Sequence, residues 1–115
     1  MPGDWYVESI GEVERAAQAL HDAVERTVGM LRRARADRLH GTELAEIVGR
    51  MVDSGGQDTR RQADEAFADY ERALSAYRVG TVRALVDDGG LSVADVAHLT
   101  GASPQVVADI YRSDG

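Results

Sequence analysis

Apolar residues between Asp4 and Leu39 recur with the spacing of one helix face. Ile10, Val13, Ala17, Leu20, Val24, Val28 and Leu31 follow one another at steps of 3, 4, 3, 4, 4 and 3, close to a coiled-coil seam. The opposite face carries Glu12, Glu14, Arg15, Asp22, Glu25 and Arg26, and Asp22 to Arg26 has the spacing of a supportive ion pair. This predicts a long helix over 4–39, ended by His40-Gly41. Gly11 and Gly29 weaken it by about 1 kcal/mol each relative to alanine, or let another helix approach closely.

A second, short helix is expected over 42–53, with Thr42 as N-cap and Leu44, Ile47, Val48, Met51 and Val52 on its apolar face. Ser54-Gly55-Gly56 stops it. A third runs over 58–88 on the seam Ala63, Phe67, Tyr70, Leu74 and Tyr77, then Val82, Leu85 and Val86, until Gly89-Gly90. Two more short helices fit 92–99 and 103–112. MVDSGGQD at 51–58 and LVDDGGLS at 85–92 look alike at an offset of 34 residues. The likeness is confined to a helix end, its glycine stop and the next cap, so shared helix-stop chemistry explains it better than a repeat array.

The expected class is all-α: two long amphipathic, coiled-coil-like helices joined by a short one, followed by a small helical module. Residues 1–80 form the long-helix region and 81–115 the module. Neither long seam is broad enough to make a full core alone. We therefore expect a homodimer held by Ile10, Val13, Ala17, Leu20, Val24 and Leu31 together with Phe67, Tyr70, Leu74 and Tyr77. An intramolecular antiparallel hairpin would use the same residues.

Composition supports helices over sheets. Alanine occurs 17 times and aromatics are 5% of the chain, a balance that suits close helix packing. Absence of cysteine excludes disulfides, thiolate nucleophiles and thiolate metal sites. No apolar run approaches the ~20 residues that span a bilayer, and MPGDWYVES does not read as a signal peptide, so a soluble cytoplasmic protein is expected. All 13 basic residues are arginine, and lysine and asparagine are both absent. Codon logic then points to a GC-rich bacterial genome.

After Gly90 comes LSVADVAHLTGASPQVVADIYR. Ser92 and Asp95 have the spacing of a capping box. Gly101 allows a turn of positive φ, and Ser103-Pro104 opens a last helix. Val96, Ala97, Leu99, Val106, Val107 and Ile110 are the expected apolar contacts. With Val96-Ala97, Leu99 to Ser103, Val107 and Ile110 at these positions, the segment resembles the helix-turn-helix of bacterial transcriptional regulators. The resemblance spans residues 82–112, with Val82 to Val86 as the end of the first of three helices; it does not extend to the N-terminal two thirds.

The resemblance implies a tri-helical fold whose last helix enters a DNA major groove. Ser103, Gln105, Ala108, Asp109 and Arg112 would then face the bases, glutamine reading adenine and arginine reading guanine or phosphate. Arg32, Arg33, Arg35 and Arg38, with a local excess of +3, are the candidate backbone contacts. They are equally readable as a solvated helix face. Arg60-Arg61, Arg72, Arg78 and Arg83 read better as solvated residues, Arg61 having Glu65 at i+4.

Charge departs from the usual pattern. The net charge is −7, and residues 84–115 alone carry −4, which offers little to phosphates. Pro104 and Asp109 stand where such regulators often have arginine or another donor. Two functions follow. One is a dimeric DNA-binding transcriptional regulator; the alternative is an acidic helical module that binds a basic protein such as a regulator or polymerase subunit. No catalytic motif, phosphate loop or calcium loop is present, so no enzyme activity and no cofactor is expected. His21, His40 and His98 are widely spaced, with Asp95 as the neighbour noted at helical spacing, and no metal site is expected. Trp5-Tyr6 reads as an exposed interaction point or, more commonly, a lid on the helices.

Overall fold

The computed structural model describes residues 4–113, and these are helical almost throughout, with no strand. The elements are α1 (Asp4–Leu39), α2 (Leu44–Asp53), α3 (Gly56–Arg83), a π-helical turn (Ala84–Asp88), α4 (Val93–Thr100) and α5 (Pro104–Arg112). The all-α class expected from the seams is thus the observed one. No helix among the described residues is long and apolar enough to cross a membrane.

Local chemistry moves three boundaries. Glu43, not Thr42, is the N-cap of α2, and it gives no side-chain cap bond. The Thr42 N–H bonds back to the Asp37 carbonyl at 3.0 Å, across Gly41 at φ +88°. Only Gly55 of the first double glycine turns left-handed, at φ +85°, and Gly56 already begins α3. The expected helix over 58–88 also changes pitch at Arg83. Its last five residues form the π turn, closed by the Gly89 N–H on the Ala84 carbonyl at 2.9 Å.

The chain divides into two compact units, and α1 and α3 contribute to both. One unit takes in α1 up to Val13 and the chain from Glu71 onward; the other is Glu14–Tyr70. In the first, Val82, Val96, Ala97 and Val107 form the buried core, with Leu85, Val86, Leu91 and Ile110 packed around it. The start of α1 lies beside the end of α3 there. The Trp5 indole covers Gly80, and the Tyr6 and Tyr77 hydroxyls share a hydrogen bond of 2.8 Å. Trp5 and Tyr6 thus pack on the end of α3, while 41% and 42% of their surface stays exposed.

In the second unit the buried residues are Ala23, Met30, Ile47 and Ala66. Beyond Leu20 the inward row of α1 continues as Ala23, Thr27, Met30 and Ala34. The expected Val24 and Leu31 are left 47% and 56% exposed. On α3, Ala66 is buried and Phe67 is 52% exposed. The other seam residues, Ile10, Val13, Ala17, Leu20, Tyr70, Leu74 and Tyr77, are half-buried. A small side chain on a helix face lets a neighbouring backbone approach, and the bulkier residue one position on is then turned outward. The Asp22–Arg26 pair does not form; Asp22 accepts from Gln18 at 3.0 Å and lies 3.7 Å from His21.

Candidate nucleic-acid interface

Two serine caps and one glycine set the geometry of the α4–α5 pair. Ser92 Oγ accepts the Asp95 N–H at 3.0 Å, while Asp95 Oδ2 accepts the Ser92 N–H at 3.0 Å. Both orphan donors of the first turn are satisfied reciprocally. The Ser92 backbone bond, and then its side-chain bond, hold the Asp95 carboxyl below the usual range for aspartate. Helix α4 ends on Gly101 at φ +75°, a conformation that a Cβ would strain. Ser103 Oγ then accepts the Val106 N–H at 3.1 Å, with Pro104 in the first turn of α5.

This turn folds Val96, Ala97 and Val107 against Val82, and α5 presents Ser103, Gln105, Asp109 and Arg112 to solvent. Ala108, expected on the outer face, is half-buried instead. Leu99 and Val106 were expected as core contacts, yet they are 65% and 48% exposed. Each stands one helical step from a position that is buried, so the inward stripe is narrower than the run of apolar residues.

The outer face of α5 is internally bonded. Gln105 Nε2 donates to Asp109 Oδ1 at 2.9 Å, and Arg112 Nη2 donates to the same oxygen at 3.0 Å. Asp109 therefore occupies both groups expected to read bases. All three are exposed, and such pairs contribute about 0–1 kcal/mol, so a competing acceptor displaces them at small cost.

Long-range contacts with no local sequence signal fix the other end of α5. Arg83 donates through Nε to the Tyr111 carbonyl at 3.3 Å and through Nη2 to the Ser113 carbonyl. Tyr111 Oη donates to Asp87 Oδ1 at 2.7 Å. That bond, and next the carboxylate's charge, hold the Tyr111 phenol above the ordinary tyrosine value. Arg83 is thus a cap for the last carbonyls of α5. The partners are 24 to 30 residues apart, which is why helical spacing could not reveal them.

Arg32, Arg33, Arg35 and Arg38 belong to the Glu14–Tyr70 unit and are all exposed. Arg38 Nη1 donates to the Thr42 carbonyl at 3.0 Å, closing the turn before α2. Nearby, Arg50 bridges Glu46 at 2.8 Å and Asp37 at 3.4 Å, so the acid inside the cluster is neutralised by a residue outside it. Arg61 pairs with Asp58 at 3.0 Å, closer than with Glu65 at 4.0 Å.

Among the described residues no group of histidine and acidic side chains is arranged to hold a metal ion. His21 does have Glu25 at i+4, 4.0 Å away, a neighbour that the histidine spacing had not suggested. No protein-family model matches the chain, and no match was found among curated proteins or solved structures.

Proposed function

We propose that this chain is a small bacterial DNA-binding protein of the helix-turn-helix kind, a cytoplasmic homodimer that regulates transcription and has no catalytic role. The observation that supports this reading is the α4–Gly101–α5 arrangement. Both helices are capped by serine, they are joined by a three-residue turn with Gly101 left-handed, and they pack over Val82, Val96, Ala97 and Val107. That construction holds a short helix firmly by its inner face and leaves its outer face free for a groove.

In this reading α5 enters the major groove. The Gln105 amide turns from Asp109 to adenine, and Arg112 turns to guanine or to a phosphate. Asp109 opposes the approach of phosphates and acts as a brake on non-specific binding. Arg32, Arg33, Arg35 and Arg38 supply contacts to the backbone, which position the protein without reading sequence.

One observation favours the second reading, an acidic module for a basic protein partner. Val106 is exposed within one turn of Asp109, and Leu99 within one turn of Asp95, so apolar and acidic groups share faces suited to a cationic amphipathic segment.

Titration of the full chain with a mixed GC-rich duplex at about 50 mM and about 200 mM salt separates the readings. Salt-sensitive binding, followed by enrichment of a preferred sequence, is the expected result. No binding at the lower salt, with helicity intact by circular dichroism, would overturn the DNA reading and leave the protein-partner one.

A further inference from the structure

Within the Glu14–Tyr70 unit, α2 meets α1 and α3 along an open groove of about 540 Å³. Leu31, Val48, Met51, Val52 and Ala63 make its apolar wall, and Arg60 and Asp64 stand on its rim. We propose that this groove is the seat of a second copy of the chain, related to the first by a two-fold axis. The proposal rests on the homodimer of the reading above and names its interface.

The first argument is the cover that α2 lacks. It is ten residues long, and a helix of that length is marginal without tertiary packing. Yet Ile47 is its one buried residue, while Leu44, Val48 and Val52 are 62%, 51% and 54% exposed. These three lie four residues apart in a row, and Leu31 of α1, 56% exposed, shares the groove with Val48 and Val52. Single exposed apolar residues are ordinary, but a contiguous row beside a groove marks an interaction surface.

A second argument identifies the occupant. An isologous interface must be complementary to itself. Here the same row, Val48 and Val52, is both a wall of the groove and a ridge to fill the groove of a mate. The rim carries one charge of each sign, Arg60 and Asp64, one turn apart on α3 and both exposed. Among the described residues neither has an ion-pair partner, whereas nearby Arg61 pairs with Asp58. Antiparallel placement of two copies brings Arg60 of each toward Asp64 of the other, in two equivalent pairs. A basic or acidic partner would satisfy one of these charges and repel the other. A buried small ligand is disfavoured too. Such sites present convergent polar groups inside a cavity, and no polar or charged side chain is buried among the described residues.

Multi-angle light scattering and sedimentation equilibrium of the full chain, without DNA, test the inference. The expected parent is a dimer of twice the 12.4 kDa chain mass. Val48→Glu and Val52→Glu should each weaken it by about 30-fold or more, the effect of a central interface residue. Arg60→Asp or Asp64→Arg alone should also weaken it, and the double exchange should restore it. That restoration keeps the test decisive if a groove variant fails to fold. Val7→Glu, at a position 67% exposed and outside the groove, should leave the dimer intact.

A monomer at all concentrations would overturn the proposal. So would a dimer indifferent to the groove and rim variants, or a monomer that native mass spectrometry finds with an apolar molecule bound. The DNA contact fails separately: a groove dimer that binds no duplex leaves this interface standing, and a monomer that binds DNA removes the interface and the homodimer while leaving the DNA contact.

Discussion

The indole of Trp5 occupies the space where a side chain on Gly80 would be: a Cβ there would collide with Trp5 Cζ2. Glycine inside a helix costs about 1 kcal/mol relative to alanine, and α3 carries that cost at Gly80. In return the indole at the start of α1 packs closely on α3, a contact that the adjacent Tyr6–Tyr77 hydrogen bond of 2.8 Å fastens.

Gly80→Ala should therefore behave unlike an ordinary helix substitution. The methyl displaces the indole, a loss of about 1–3 kcal/mol by overpacking, larger than the propensity gain. The expected net effect is a destabilisation of about 1 kcal/mol in a urea melt. Trp5 is the one tryptophan, so its emission should move toward that of a solvated indole and its quenching by acrylamide should rise. An unchanged spectrum would show that the ring does not rest on Gly80.

Removal of the α4 cap is a second test. Ser92→Ala takes away the acceptor of the Asp95 N–H, and a loss of about 1 kcal/mol is expected. Because Asp95 is held below the usual carboxyl range by its bonds to Ser92, its contribution is present above the unfolded value near 4. It is lost as pH falls through the lower folded value. The parent's stability should thus fall with acid more steeply than that of Ser92→Ala.

At alkaline pH the sign reverses. The hydrogen bond with Tyr77 raises Tyr6, and the bond to Asp87 raises Tyr111. Both stabilise the neutral phenol, so their contribution is complete below about 10 and lost as pH rises through the higher folded values. Chemical denaturation across that window should show a falling stability, with a smaller slope in Tyr6→Phe and Tyr111→Phe. Equal slopes in parent and variants would exclude both bonds.

On DNA, Gln105→Ala should cost about 1–3 kcal/mol on a selected site and relax the preference there. Asp109→Asn, which releases Arg112 from its ion pair, should strengthen binding to any duplex, and Asp109→Arg should do so further. Loss of two arginines from Arg32, Arg33, Arg35 and Arg38 should weaken all sequences alike and lower the salt slope by nearly one unit per lost phosphate contact. Filter binding across a salt series reads all three. A sequence-dependent effect of the arginine losses would contradict their assignment as backbone contacts.

Sequence by itself determined what short-range chemistry controls. Helix periodicity, glycine stops and serine caps placed five helices, with several ends off by a residue or two and the last five residues of the third wound as a π turn instead. The Ser92–Asp95 box, the left-handed Gly101 and the Ser103 cap were all legible, because each involves residues within three or four positions of one another.

Only the tertiary structure decided which member of each apolar pair faces inward. Periodicity gives a stripe about 100° wide and cannot choose between Ala23 and Val24, or between Ala66 and Phe67. The approach of a second helix chose the alanines, and so left Val24 and Phe67 at the surface. Tertiary structure likewise brought Arg83 and Asp87 to the end of α5, and laid Trp5 on Gly80 across 75 residues. Contacts at such separations leave no periodic trace in a chain, because folding, not spacing, brings them together.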